Sequence, residues 1–103
     1  MFIFHFVVIV PLIAPSNVVI HGSTSYRQGS TLELRCSSMG DPPFQYTWTR
    51  VTYGVDNAFP SNVITTNSIL HINSVSVSDG GNYTCTVTNN VGSSSSTASV
   101  YSK

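Results

Sequence analysis

The sequence predicts an all-β domain folded as a sandwich or barrel, and three observations carry that prediction. Short runs of alternating apolar and polar residues succeed one another from Ser16 to Tyr101, separated by turn signals. Five Tyr, five Phe and many Val and Ile accompany abundant Ser, Thr, Gly and Asn, a composition suited to half-buried pleated strands. No stretch places apolar residues at helical spacing between caps, so long helices are not expected. A chain of 103 residues has room for one domain.

Met1 to Ala14, MFIFHFVVIVPLIA, is almost wholly apolar and unlike the Ser- and Thr-rich remainder of the chain. It is shorter than the roughly 20 residues of a membrane-spanning helix and matches the apolar region of a signal peptide, about 7–15 residues. No Lys or Arg precedes it, and Pro15 spoils a cut after Ala14. Residues 1–15 are therefore read as a signal peptide and 16–103 as the domain. A strand or linker of a longer protein, or a retained membrane anchor, stands as the alternative.

Val18 to Ile20 reads as a first edge strand, and Gly22 to Gly29 as a polar stretch turning at Gln28-Gly29. Leu32, Leu34 and Cys36 alternate with Thr31, Glu33 and Arg35, which gives one apolar and one wet face. Gly40-Asp41-Pro42-Pro43 breaks the chain before a strand from Phe44 to Arg50, with Tyr46 and Trp48 on one side. Val51 to Pro60 reads as a loop with at most one short edge strand. Ile69 to Asn73 is a strand with Leu70 and Ile72 inward and His71 outward. Ser78 to Asn82 is a turn, after which Tyr83, Cys85 and Val87 alternate with Thr84, Thr86 and Thr88. Asn89 to Gly92 reads as a hairpin turn because Asn and Gly tolerate positive φ. Ser93 to Tyr101 is the last strand, its four leading serines the polar start of a hairpin arm and Ala98 and Val100 inward.

Cys36 and Cys85 are 49 positions apart; Trp48 comes twelve after Cys36, and Tyr83 and Asp79 precede Cys85 by two and six. The set Cys36, Trp48, Leu70 and Asp79-x-Gly81-x-Tyr83-x-Cys85 resembles the immunoglobulin superfamily over about residues 16–101. The cysteine spacing suits its intermediate or C2 sets, and the sequence is similar to domains of cell-adhesion and hemicentin-like proteins. The resemblance implies a two-sheet immunoglobulin-like Greek-key sandwich. It also implies a Cys36–Cys85 bridge between the sheets, Trp48 packed on that bridge, and Tyr83 bonded through its hydroxyl to the backbone. Gly29 falls where such domains turn into the second strand. The alternatives for the cysteines are free thiols, or a metal site, which His5, His21 and His71 do not support by spacing.

Four Lys+Arg balance four Asp+Glu with no basic run, which argues against nucleic-acid binding. No Gly-x-Ser-x-Gly, paired carboxylates or phosphate-binding glycine loop is present, so neither enzymatic activity nor a cofactor is expected. Asn82-Tyr83-Thr84 is the one N-glycosylation sequon, and Asn82 has the parity opposite to Tyr83, toward solvent. The outer face beside it would carry Gln45, Thr47, Thr49, Thr84, Thr86 and Thr88, polar residues without an anchor. Interface anchors favour aromatic residues and Arg, so Phe44, Arg50, Tyr53 and Phe59 are the candidate partner contacts, with packing under their own loops as the alternative.

The function implied is an extracellular recognition or adhesion module, secreted or at the cell surface, that meets another protein or a like domain. Membrane contact would need a tether. The alternatives are a structural spacer of a matrix or filament protein with no private ligand, and a secreted immune-type receptor fragment.

Overall fold

The structure, a computed structural model, describes residues 10–52, 55–57 and 59–103. Their strands are β1 (Ser16–Gly22), β2 (Ser25–Tyr26), β3 (Leu32–Met39), β4 (Gln45–Thr52), β5 (Val55–Asn57), β6 (Val63–Thr66), β7 (Ile69–Ile72), β8 (Gly81–Thr88) and β9 (Ser93–Ser102). A short 3-10 helix, Val77–Asp79, precedes β8. One sheet has the order β1-β3-β7-β6 and the other β2-β9-β8-β4-β5. The all-β, two-sheet expectation is borne out.

Side-chain parity drives the layering. Leu32, Leu34 and Cys36 of β3 point inward from one sheet, and Tyr83, Cys85 and Val87 of β8 from the other. Leu70 and Ile72 of β7, Trp48 of β4 and Val100 of β9 complete the buried centre, with Tyr26 and Val75 at one end. The Cys36–Cys85 disulfide joins the two sheets across this core, with an S–S distance of 2.04 Å. The free-thiol and metal readings of these cysteines are thereby corrected. Trp48 packs in the same cluster and donates from Nε1 to the Asn67 carbonyl at 3.2 Å, tying β4 to the β6–β7 turn of the opposite sheet.

Several elements differ from the sequence reading. β1 is longer than Val18–Ile20, and its register against β3 shifts between Ser16 and Val19, where Asn17 takes φ +48°. β2 lies inside the stretch read as polar loop and pairs in parallel with the end of β9. β6 has no counterpart among the expected strands; it pairs with β7 through a two-residue turn in which Asn67 has φ +51°. The Asn89–Gly92 turn is closed by the Asn89 amide to the Gly92 carbonyl at 3.0 Å. It does not use positive φ: the Asn89 Oδ1 instead accepts from the amides of Val91 and Gly92 at 3.0 and 3.1 Å. The side chain does locally what backbone freedom was expected to do.

Residues ahead of β1 are built into one pole. The Ile13 amide donates to Asp41 Oδ2 at 2.7 Å, and the Ile13 carbonyl accepts from the Asp41 amide at 3.0 Å. Asn89 Nδ2 donates to the Ile13 and Asp41 carbonyls at 2.8 and 3.0 Å. Gly40 allows this approach: it has φ +116°, and a Cβ there would lie 2.7 Å from the Ala14 carbonyl oxygen.

Candidate functional site

The most tightly determined polar cluster surrounds Tyr83. The 3-10 helix holds Asp79, only 2% exposed, with its Oδ2 accepting from the Ser76 amide at 2.8 Å, Ser76 Oγ at 3.1 Å and Asn62 Nδ2 at 3.2 Å. Tyr83, on the buried parity of β8, donates its hydroxyl to the Asp79 carbonyl. Tyr26 donates to the Ser76 carbonyl at 2.6 Å from the adjacent sheet end. Burial pushes the Tyr83 phenol up to about 12; the Arg50 guanidinium offsets this in part, while Asp79 and Tyr26 add to it. Tyr26 is raised as well, first by burial and then by Asp79. These groups are spent on one another, so the chemistry of the cluster is that of a structural clasp.

Of the candidate partner contacts, Phe44, Arg50 and Phe59 are described, and they are not brought together in one patch. Phe59 stacks on Tyr83, ring centroids 6.3 Å apart and nearly parallel at 6°. Arg50 lies over the same ring at 5.9 Å and donates from Nη2 to the carbonyls of Ser78 and, at 3.0 Å, Gly80. Both side chains thus pack on the Tyr83 ring. Tyr53 lies outside the described residues. Phe44 sits beyond the opposite end of β4, about 20 Å along the strand from Arg50, edge-on to Tyr46 at 6.3 Å. Phe44 lines an open groove of about 240 Å³ with Pro43, Gln45, Thr88, Asn89 and Asn90.

The two outer sheet faces differ in chemistry. On the five-stranded sheet, cross-strand rows read Gln45–Thr88–Ser93, Thr47–Thr86–Ser95 and Thr49–Thr84–Thr97. Thr84 and Thr97 share a hydroxyl hydrogen bond of 2.7 Å. The next row holds the exposed Asn82, whose Oδ1 accepts from Ser99 Oγ at 2.6 Å. On the four-stranded sheet the rows read His21–Arg35–Ile69–Thr66 and Glu33–His71–Ile64. Glu33 and Arg35 form an exposed pair at 3.7 Å. Among the described residues no group of three His, Cys, Asp or Glu side chains could hold a metal. Spacing within β3, β7 and β8 is enough to assign these faces. The roles of Asn62, Ser76, Asn89 and Tyr26 escape sequence reasoning, because each acts from a segment without periodicity.

The chain matches the immunoglobulin domain family over residues 12–101. It is 31% identical over 86 residues to the mouse basement membrane-specific heparan sulfate proteoglycan core protein, covering 84% of this chain and 2% of that protein. It is 36% identical over 76 residues to human cell adhesion molecule 1, covering 73% of this chain and 16% of that protein. Among solved structures it resembles the mouse nectin-like molecule 4 ectodomain, with a TM-score of 0.76 and 25% identity, over 88% of this chain and 31% of that one. The chain thus spans a small part of the curated relatives it matches. The bridged sandwich, the clasp at Tyr83 and these likenesses agree, and the chain belongs to the immunoglobulin domain family.

Proposed function

We propose that this chain is an extracellular recognition or adhesion unit, secreted or at the cell surface, whose partner is another protein. The observation that carries the reading is the Cys36–Cys85 bridge buried between the sheets of a chain similar to a cell adhesion molecule. Such a bridge persists in oxidising compartments. Apart from the buried Arg50 Nε, which has no hydrogen-bond partner among the described residues, the polar groups of the Tyr83 cluster are engaged with one another, so the chemistry available to a partner is that of the surface. Asn82 is the proposed glycan acceptor. Its Oδ1 is held by Ser99, Nδ2 has no hydrogen bond among the described residues, and the sugar would rise from the hydroxyl-lined face. Residues 1–15 are the proposed leader. A cut after Ala14 would delete the Ile13 contacts with Asp41 and Asn89.

The spacer reading draws support from the proteoglycan likeness, in which the chain matches 2% of a long protein. One experiment separates the two. The chain is made in a secreting animal cell, then analysed by intact mass and amino-terminal sequencing and presented on beads to a panel of cell-surface proteins and to itself. The expected result is a secreted protein carrying a sugar that is lost in Asn82→Gln, with specific capture of a protein partner. Retention in the cell without sugar overturns the extracellular assignment. Secretion without any capture overturns recognition and leaves the spacer.

A further inference from the structure

We infer that the outer face of the four-stranded sheet is a self-complementary docking surface whose occupant is a second copy of this chain. This rests on the reading of the domain as a protein-recognition unit and names its partner. The outward residues of β4, β8 and β9 carry no charge, and Asp56 stands at the β5 edge of that sheet, in register with Val51. The four-stranded face carries two opposite charges, Glu33 and Arg35, two residues apart on β3, one of its inner strands. They pair with each other at 3.7 Å, but the Arg35 side chain is 65% exposed and that of Glu33 43%, so a partner can still reach both.

Two copies meeting face to face are related by a two-fold axis lying in the interface. An axis running directly along β3 would set Glu33 over Glu33 and Arg35 over Arg35 of the two copies. An axis crossing β3 near Leu34 reverses the strand, and each Glu33 then faces an Arg35 of the other copy. Like charges in contact oppose the first arrangement and opposite charges favour the second. The same reversal lays the Arg35 row over the Glu33 row. Ile64, 52% exposed, then rests against Thr66 and Ile69 of the second copy, and so is withdrawn from water. Of the two orientations, the crossing one satisfies both charge and apolar contact.

Its size sets the strength. Four strands about 4.8 Å apart and roughly five residues long cover about 320 Å², against the ~800 Å² per partner of a standard stable interface. The association is weak for one pair and gains strength when many copies face each other. A sugar on Asn82 stands on the opposite sheet and leaves the contact open.

The test is sedimentation equilibrium of the purified whole chain up to about 1 mM, a range suited to a small interface, at low and high salt. Wild type is expected to self-associate, less so at high salt. E33R and R35E each place like charges across the axis and should weaken association roughly tenfold or more. An equimolar mixture of E33R with R35E, and the double swap E33R/R35E, should each restore it. I64D should weaken it while keeping the thermal unfolding of wild type. A wild type that stays monomeric throughout overturns the inference, as does self-association that neither single charge variant alters. In either case, capture of a different cell-surface protein by the same preparation would leave the recognition reading standing.

Discussion

Tyr83 has its hydroxyl on the Asp79 carbonyl, with Phe59 stacked on its ring and Arg50 over it. Its folded pKa is pushed up to about 12, above the ordinary 10.0 that an unfolded chain would show. The folded state therefore keeps a proton that the unfolded state gives up. Stability from this group is complete below pH ~10 and is lost as pH rises toward ~12. Tyr26, also raised, acts in the same direction. Chemical unfolding across this range should show a steep alkaline decline. Tyr83→Phe should cost about 1 kcal/mol near neutral pH through the lost hydrogen bond, and should make the alkaline decline shallower. The immunoglobulin-like motif marks Asp79 and Tyr83, and strand parity relative to Cys85, a one-dimensional property, turns Tyr83 inward. That Arg50 bonds the carbonyls of Ser78 and Gly80 is not legible in the sequence. Those contacts join segments about thirty positions apart, and an Arg at a strand end reads equally well as an interface anchor.

Elements with several alternating residues are legible, and elements with few are not. β3, β7 and β8 fall close to their expected places because their inward residues repeat with period two. β2 has two residues and β6 four, too short for alternation to stand out from a loop. The segment ahead of β1 lacks alternation for a different reason: it is apolar almost throughout, so nothing in its pattern shows that Ile13 and Ala14 are seated on the Asp41 and Asn89 loops or that Pro15 is buried. A chain beginning at Ser16 should melt below one beginning at Val10. Asp41→Ala should cost about 1 kcal/mol through the lost carboxylate bond to the Ile13 amide, and much less in the chain that begins at Ser16. Equal losses in both chains would show that the clamp contributes nothing.

For the molecule as a whole, one cross-link carries much of the stability. The bridge closes a span of 49 residues, worth about 4 kcal/mol on the chain-entropy account, in a domain whose net stability is roughly 5–15 kcal/mol. Cys36→Ala and Cys85→Ala should each lower the denaturation midpoint sharply. The double variant should lose little more than either single one, since the first substitution already removes the cross-link. An unchanged melting curve in either single variant would contradict the bridge's role. The two-sheet architecture is readable because a sandwich is set by which residues share a face; the identity of a partner is set by surface detail that no period encodes.

The clamp at Ile13 and the pairing of Lys103 with Tyr26 lie at opposite poles of the sandwich. A pull on the two ends would therefore run lengthwise through the domain. The short parallel β2–β9 pairing, with the Tyr101 amide on the Thr24 carbonyl and the Lys103 amide on the Tyr26 carbonyl, would carry that load in shear. If those bonds gave way, the chain could lengthen only outside the bridge, because the 49-residue span from Cys36 to Cys85 is tied across. The same disulfide that stabilises the resting domain would act as a stop, limiting how far it could be stretched.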